Sequence, residues 1–311
     1  MRKINIILIL LTITTLFLTG ASYAQVPSPL SHPLIIDHTT TDLSQIPDEW
    51  IENAITNLRI YYVHASHGAQ LMRGVERIES ANPFYSVAIT VGSLPNEEGA
   101  LQIFDRGGDP INFWDYFCWG PGDCADGKAL TREVLTSNPS INIAASSWCH
   151  EMNTASEEYV QDYLTSMGEL EAEFPDVTFV YMTATADGWL RDDDNDGTFD
   201  GPNRHLRNEQ IRQYCRDNNK VLFDFEDLDS WWFNPETMQW EHFTSTVNGH
   251  TISIVAPAFY ESYSCGHMSY TACEQKGKAV WQMLARLAGW TPREVYKKLK
   301  VRRRPHHQGD H

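Results

Sequence analysis

Two short segments carry the residue types that acyl-transfer chemistry requires. The first, Val63-His64-Ala65-Ser66-His67-Gly68, follows an apolar β-rich run and leads into a helix-like stretch. A serine on such a strand-to-helix turn is presented to solvent beside the N–H groups of the helix start, which can stabilise an oxyanion next to a nucleophile. Taken alone, Ser66 would serve equally well as the helix cap. The second segment, Ser264-Cys265-Gly266-His267, lies just before the last helix-like stretch. From there His267 can reach back over the strand ends and take the serine proton as general base. The carboxylate that orients such a histidine is not next to it. Asp224 and Asp227, in Phe-Asp-Phe-Glu-Asp-Leu-Asp after the last strand, are the available acids, with Asp224 as the first choice. His64, His67, Trp148 and His150 flank the same strand ends and are candidate substrate contacts. His64, His67, His150 and His267 are alternatively a metal-binding set, since histidines from separate strand ends can converge on one ion.

These residues act together only if the fold gathers them. Candidate strands are Arg59–Val63, Val87–Val91, Ile141–Ala145, Val177–Met182 and Val221–Phe225. They alternate with helix-like stretches at Ala69–Ser80, Gly127–Thr136, Ser156–Phe174, Arg207–Asp217 and Glu274–Ala288. Short, nearly continuous apolar strands separated by amphipathic helices predict an α/β fold with a parallel sheet covered on both faces. Functional sites in such folds lie at the carboxyl ends of the strands. Ile103–Cys124 and Trp231–Tyr263 stand outside this rhythm and read as long binding loops shaping a cleft.

A serine after the first strand and a histidine before the last helix is an order similar to that of the SGNH (GDSL-like) hydrolase superfamily. His64-Ala65-Ser66 resembles that family's Gly-Asp-Ser block. His267 matches the histidine of its Asp-x-x-His block, with Ser264 where the family has Asp. The family's second-strand glycine falls at Gly107 or Gly108. Its Gly-x-Asn-Asp block falls near Ser146-Ser147-Trp148-Cys149 without an Asn in register, and Asn153 is the nearest substitute oxyanion donor. The resemblance implies a three-layer α/β/α sandwich with a flavodoxin-like parallel sheet. It also implies an esterase or deacetylase in which Ser66 is the nucleophile and His267 the base, with Gly108 and Asn153 supporting the oxyanion and no cofactor in catalysis. Without the missing Asp and Asn, a non-catalytic glycan-binding protein on the same scaffold is the main alternative. A metal-dependent enzyme built on the histidine set is the second.

The amino-terminal segment directs the same reading outside the cell. Arg2 and Lys3, the apolar run Ile6–Leu18 and the small residues Ser22 and Ala24 read as a cleaved secretory signal over residues 1–24. The run is shorter than the ~20 residues needed to cross a bilayer, so no membrane anchorage is expected after cleavage. One domain over 25–293 and a basic tail over 294–311 complete the division. The formal charge is −17, and removal of the signal leaves 22 basic against 41 acidic residues. That balance argues against nucleic acid as a partner. In an exported chain the six cysteines form a disulfide set, with Cys118–Cys124, Cys265–Cys273 and Cys149–Cys215 as the pairing that spacing suggests.

One acidic loop has the spacing of a calcium ligand set. Asp192, Asp194, Asp196, Thr198 and Asp200 place oxygens at positions 1, 3, 5, 7 and 9 with Gly197 at position 6. A structural Ca²⁺ is therefore expected there, and the Gly201-Pro202 that follows is expected to prevent a normal exiting helix. Trp114, Trp119, Trp148, Trp189, Trp231 and Trp232 fall in the strand-end loops, and flat apolar faces beside hydrogen-bonding groups suit a carbohydrate. The expected partner is thus an extracellular polysaccharide or other ester.

Overall fold

The computed structural model describes residues 30–107, 127–149, 151–186, 188, 192, 197–260 and 264–292. Seven strands form one sheet in the order β1-β7-β6-β5-β2-β4-β3, every pair parallel. They are β1 (Leu34–Ile36), β2 (Arg59–Val63), β3 (Val87–Val91), β4 (Leu101–Asp105), β5 (Ile143–Ser146), β6 (Thr178–Met182) and β7 (Val221–Phe223). The helices are α1 (Asp48–Asn57), α2 (Ala69–Ala81), α3 (Gly127–Ser137), α4 (Glu151–Thr154), α5 (Glu157–Glu173), α6 (Gly201–Asp217), α7 (Phe225–Ser230) and α8 (Tyr270–Leu287).

The pleat of β2 shows why three layers form. Successive strand side chains point to opposite faces, so Ile60 and Tyr62 join one buried cluster with α1, α2 and α8, and Tyr61 and Val63 join a second with α5 and α6. All four are buried, and each side chain of this kind contributes roughly 1.5–3 kcal/mol when withdrawn from water. This is the α/β/α sandwich the sequence predicts. On the first face α2 and α8 come into backbone contact. A Cβ at Gly74 would lie 2.1 Å from the Cys273 carbonyl oxygen, and one at Gly277 would lie 2.4 Å from the Gly74 carbonyl carbon. Only glycine permits that approach at either position.

Several expectations need correction. Leu101–Asp105, partly inside the stretch read as a loop, is β4, and it follows β3 without an intervening helix. Trp231–Tyr263 is not a simple loop either. It contains two antiparallel hairpins, β8 (Trp231–Asn234) with β9 (Gln239–His242) and β10 (Thr244–Val247) with β11 (His250–Ser253). These cover a third small cluster around Val255, Phe259 and Met268. Gly201-Pro202 opens α6 rather than preventing it, because Pro202 occupies the first turn, where a backbone N–H has no helical partner to lose. Cys265 and Cys273 form the expected disulfide, but no disulfide joins Cys149 to Cys215. Cys215 lies in the core between α6 and the sheet, where burial pushes its thiol pKa up. Cys118 and Cys124 lie outside the described residues.

Candidate active site

The chain runs from β2 outward to β3 and β4 on one side, then returns to place β5 on the other. Such a reversal opens a crevice at the carboxyl ends of the two strands. The turn His64–Gly68 leaves β2 at this point, and Ser147–Cys149 leaves β5 beside it.

Within the turn, His64, Ala65, His67 and Gly68 are buried and Ser66 alone is exposed. Ser66 is not the helix cap. Gly68 holds that position in α2, with no side-chain cap hydrogen bond, and the hydrogen-bond contact of Ser66 Oγ is Cys149 Sγ, at 3.6 Å. Close packing beneath fixes the turn: a Cβ at residue 68 would meet Ser147 Oγ at 2.1 Å, His64 Cβ at 2.4 Å and the Tyr62 hydroxyl at 2.7 Å. The Tyr62 hydroxyl donates to the Gly68 carbonyl at 3.1 Å. His64 is held from both sides, with Nδ1 2.7 Å from the Ala65 carbonyl oxygen and Nε2 2.9 Å from Asp105 Oδ1, the latter without hydrogen-bond alignment. His64 thus braces the turn and does not face the crevice as a substrate contact would.

His267 arrives on a two-residue hairpin turn. Cys265 and Met268 exchange both backbone hydrogen bonds at 2.9 Å, and Gly266 and His267 have φ of +52° and +69°, as a tight turn of this hand requires. The Cys265–Cys273 disulfide ties the turn to α8. Gln70 of α2 donates to the Gly266 carbonyl at 2.8 Å, and Gly266 packs so closely that a Cβ there would lie 3.1 Å from the Ser66 carbonyl oxygen. The exposed His267 ring rests against His67, centroids 4.8 Å apart. No Ser66–His267 hydrogen bond is formed among the described residues. His67 Nδ1 instead lies 3.0 Å from Cys149 Sγ.

The other expected site residues are placed as follows. Asp224 is buried at the end of β7, where Arg212 donates to it twice at 2.6 Å and the Thr183 hydroxyl donates at 3.1 Å. It also caps α7, so it serves a structural ion pair rather than His267. Asn153 Oδ1 accepts from Arg204 Nε at 2.6 Å and from a second nitrogen of the same guanidinium. Trp148 is buried, with its indole N–H donating 3.0 Å to the Met182 carbonyl, and is a core residue rather than a substrate contact. Gly108 and His150 lie outside the described residues. The Gly107 N–H donates to Asp105 Oδ1 at 2.7 Å. Of the calcium loop, Asp194 and Asp196 lie outside the described residues. Asp192 Oδ2 accepts from the Gly197 N–H at 3.0 Å, Thr198 is exposed, and Asp200 is buried at the start of α6.

His64, His67 and His267 form no trio with metal-ligand spacing; among the described residues the only such group is Asp37, His38 and Asp227, beyond the ends of β1 and β7. Sequence reasoning missed Cys149, which it assigned to a disulfide; its position directly after β5 was the available signal. The chain matches no protein-family model and no curated protein.

Proposed function

We propose that this protein is an exported serine hydrolase of the SGNH-like type that removes an acyl group from an extracellular polysaccharide or related ester. The observation that carries the reading is the exposed Ser66 on an otherwise buried turn in the β2/β5 crevice, with the stapled His267 turn docked on its backbone. In the reaction, His267 takes the Ser66 hydroxyl proton as Oγ adds to the acyl carbonyl. The backbone amides of the uncapped turn receive the oxyanion. The protonated His267 then gives its proton to the departing alcohol, and water attacks the acyl-enzyme in the same manner to release the acid. The approach of His267 to Ser66 tightens when substrate fills the crevice, as catalytic hydrogen bonds commonly do. A Ca²⁺ held by the Asp192–Asp200 loop is a structural companion in this reading.

The decisive experiment is hydrolysis of aryl esters and acetylated polysaccharide by wild type and Ser66→Ala. Activity that survives Ser66→Ala removes the mechanism. A second reading, with Cys149 as nucleophile and His67 as base, is favoured by their 3.0 Å contact. Against it stands the burial of Cys149, 4% exposed, which keeps an acyl carbonyl from the sulfur.

A further inference from the structure

A cavity whose lining includes none of the residues of the Ser66 turn opens beyond the ends of β1 and β7, against the first half of α8. It encloses about 500 Å³, within the range of small-ligand sites. One wall is the β8–β9 hairpin, which contributes Trp232, Phe233 and Trp240, all half-buried. The other wall is polar: Asp42 before a short 3₁₀ turn, with Thr271 and Lys278 from α8. The rings lining the cavity brace one another. Trp240 sits edge-on to Phe233 at 5.5 Å and to His38 at 5.1 Å, and Trp232 packs on the third hydrophobic cluster. On the polar wall, Lys278 is exposed and makes no ion pair or hydrogen bond among the described residues. Its charge nevertheless reaches Asp42 and helps, after the Ser44 and Gln45 side-chain hydrogen bonds, to hold that carboxyl below its ordinary range.

Half-buried rings facing charged and hydroxyl side chains across a concave space match the two sides of a pyranose: the C–H face packs on aromatic carbon and the hydroxyls bond to charged groups. We infer that this cavity is a glycan-binding site separate from the reacting centre, taking a neutral oligosaccharide with a ring against Trp240 and its hydroxyls toward Asp42 and Lys278. The choice of a glycan rests on the polysaccharide reading above, whereas the binding itself requires nothing of Ser66. Such a site would hold the polymer while the crevice at Ser66 acts on an acyl group further along it, a gain in effective concentration without a new catalytic contact.

The test titrates the full-length Ser66→Ala protein with xylohexaose, cellohexaose and mannohexaose, followed by tryptophan fluorescence and calorimetry. At least one is expected to saturate, with affinity falling about tenfold or more in Trp240→Ala and severalfold in Lys278→Ala, the loss of one stacked ring or one charged hydrogen bond. Circular dichroism and thermal melting establish that each variant is folded, and Lys278→Ala, at an exposed position, keeps the test usable if Trp240→Ala does not fold. Three results overturn the inference: no hexasaccharide binds; binding is unchanged in both folded variants; or sedimentation shows that Trp240 seals a dimer of this chain. Binding without any wild-type ester hydrolysis would sink the proposed reaction and leave this site standing. Hydrolysis without hexasaccharide binding would do the reverse.

Discussion

Cys149 Sγ lies 3.0 Å from His67 Nδ1 and 3.6 Å from Ser66 Oγ, so a buried thiol is lodged directly beneath the exposed hydroxyl. The amide of the same cysteine donates to Glu151 Oε2 at 2.6 Å, and burial raises the Glu151 carboxyl pKa. The thiol therefore fixes the His67 ring, and that ring in turn supports His267. Replacing Cys149 by Ala should lower kcat roughly tenfold, a loss of positioning. Ser66→Ala should lower it by about 10³ or more. Steady-state kinetics on an aryl ester read both, and a reversed order of severity would assign the nucleophile to sulfur.

Gly68 gives a sharper geometric test. A methyl at this position has Ser147 Oγ, His64 Cβ and the Tyr62 hydroxyl inside 3 Å, and His64 Cβ, bonded directly to the backbone, cannot swing away. Gly68→Ala should displace the turn and destabilise the fold by about 1–3 kcal/mol. Activity should fall by more than the folded fraction does, since a shift near 1 Å in the proposed nucleophile is costly. Parallel measurements of urea unfolding and specific activity would show the two losses separately.

The ion pair that claims Asp224 predicts stability rather than catalysis. Arg212 bonds Asp224 and also Glu226 at 2.7 Å, and all three are buried. Removing the guanidinium leaves two buried carboxylates facing each other, so Arg212→Met should cost about 3–5 kcal/mol. Asp224→Asn should melt lower while turnover per folded molecule stays near wild type. A loss of about 10⁴ in kcat with the fold intact would instead make Asp224 the orienting acid.

The same network sets a pH dependence. The hydrogen bond to Glu226 raises the His205 pKa, outweighing its partial desolvation. A histidine raised in the folded state favours folding fully below its unfolded pKa, about 6.5, and this stabilisation is lost as pH rises through the higher folded value. Wild type should therefore lose more stability than His205→Gln between mildly acidic and mildly alkaline pH. Chemical denaturation across that window measures the difference.

How much of this was legible in the sequence follows from how local each signal is. Arg59–Val63 and Val87–Val91 appear as strands at their predicted bounds because a buried parallel strand is a self-contained apolar run. Leu34–Ile36 has only three residues and takes its strand character from pairing with Val221–Phe223, nearly two hundred residues away. Leu101–Asp105 was masked by the aromatic and glycine-rich sequence that continues past it. The turn bearing Ser66 was legible because strand, turn and helix are contiguous. The partner of Asp224 was not, since Arg212 lies on the preceding helix and nothing in the spacing aims its side chain. Cys149 reads as a disulfide partner because an even cysteine count behind an apparent export signal argues for pairing, while its contact with His67 depends on β5 lying beside β2.

The calcium expectation has its own test. If the Asp192–Asp200 loop takes an ion, millimolar Ca²⁺ should raise the melting temperature by roughly several degrees over chelator, because a ligand well above its dissociation constant adds about 2–3 kcal/mol. Asp200→Ala should abolish the difference. Equal melting with and without chelator would leave the loop to its internal hydrogen bonds, such as Gly197 to Asp192.

The staple behind His267 separates stability from catalysis most directly. Cys265 and Cys273 are 8 residues apart, a loop whose closure contributes about 2–3 kcal/mol in the chain-entropy account. The backbone strain of the turn points the same way. His267 is a non-glycine residue at positive φ, a conformation that costs about 1 kcal/mol or more and persists only where its surroundings impose it. Here those surroundings are the disulfide, the Cys265–Met268 bridge and the Gln70 bond to Gly266. Cys265→Ala/Cys273→Ala should therefore unfold at lower denaturant and, while still folded, show a reduced kcat with KM little changed, because the proposed base is misplaced while the crevice is kept. Gln70→Ala should reproduce part of the kcat loss without touching the disulfide. Wild-type kcat in the doubly substituted, folded protein would mean that His267 needs no such support and that the hairpin is a structural clasp alone.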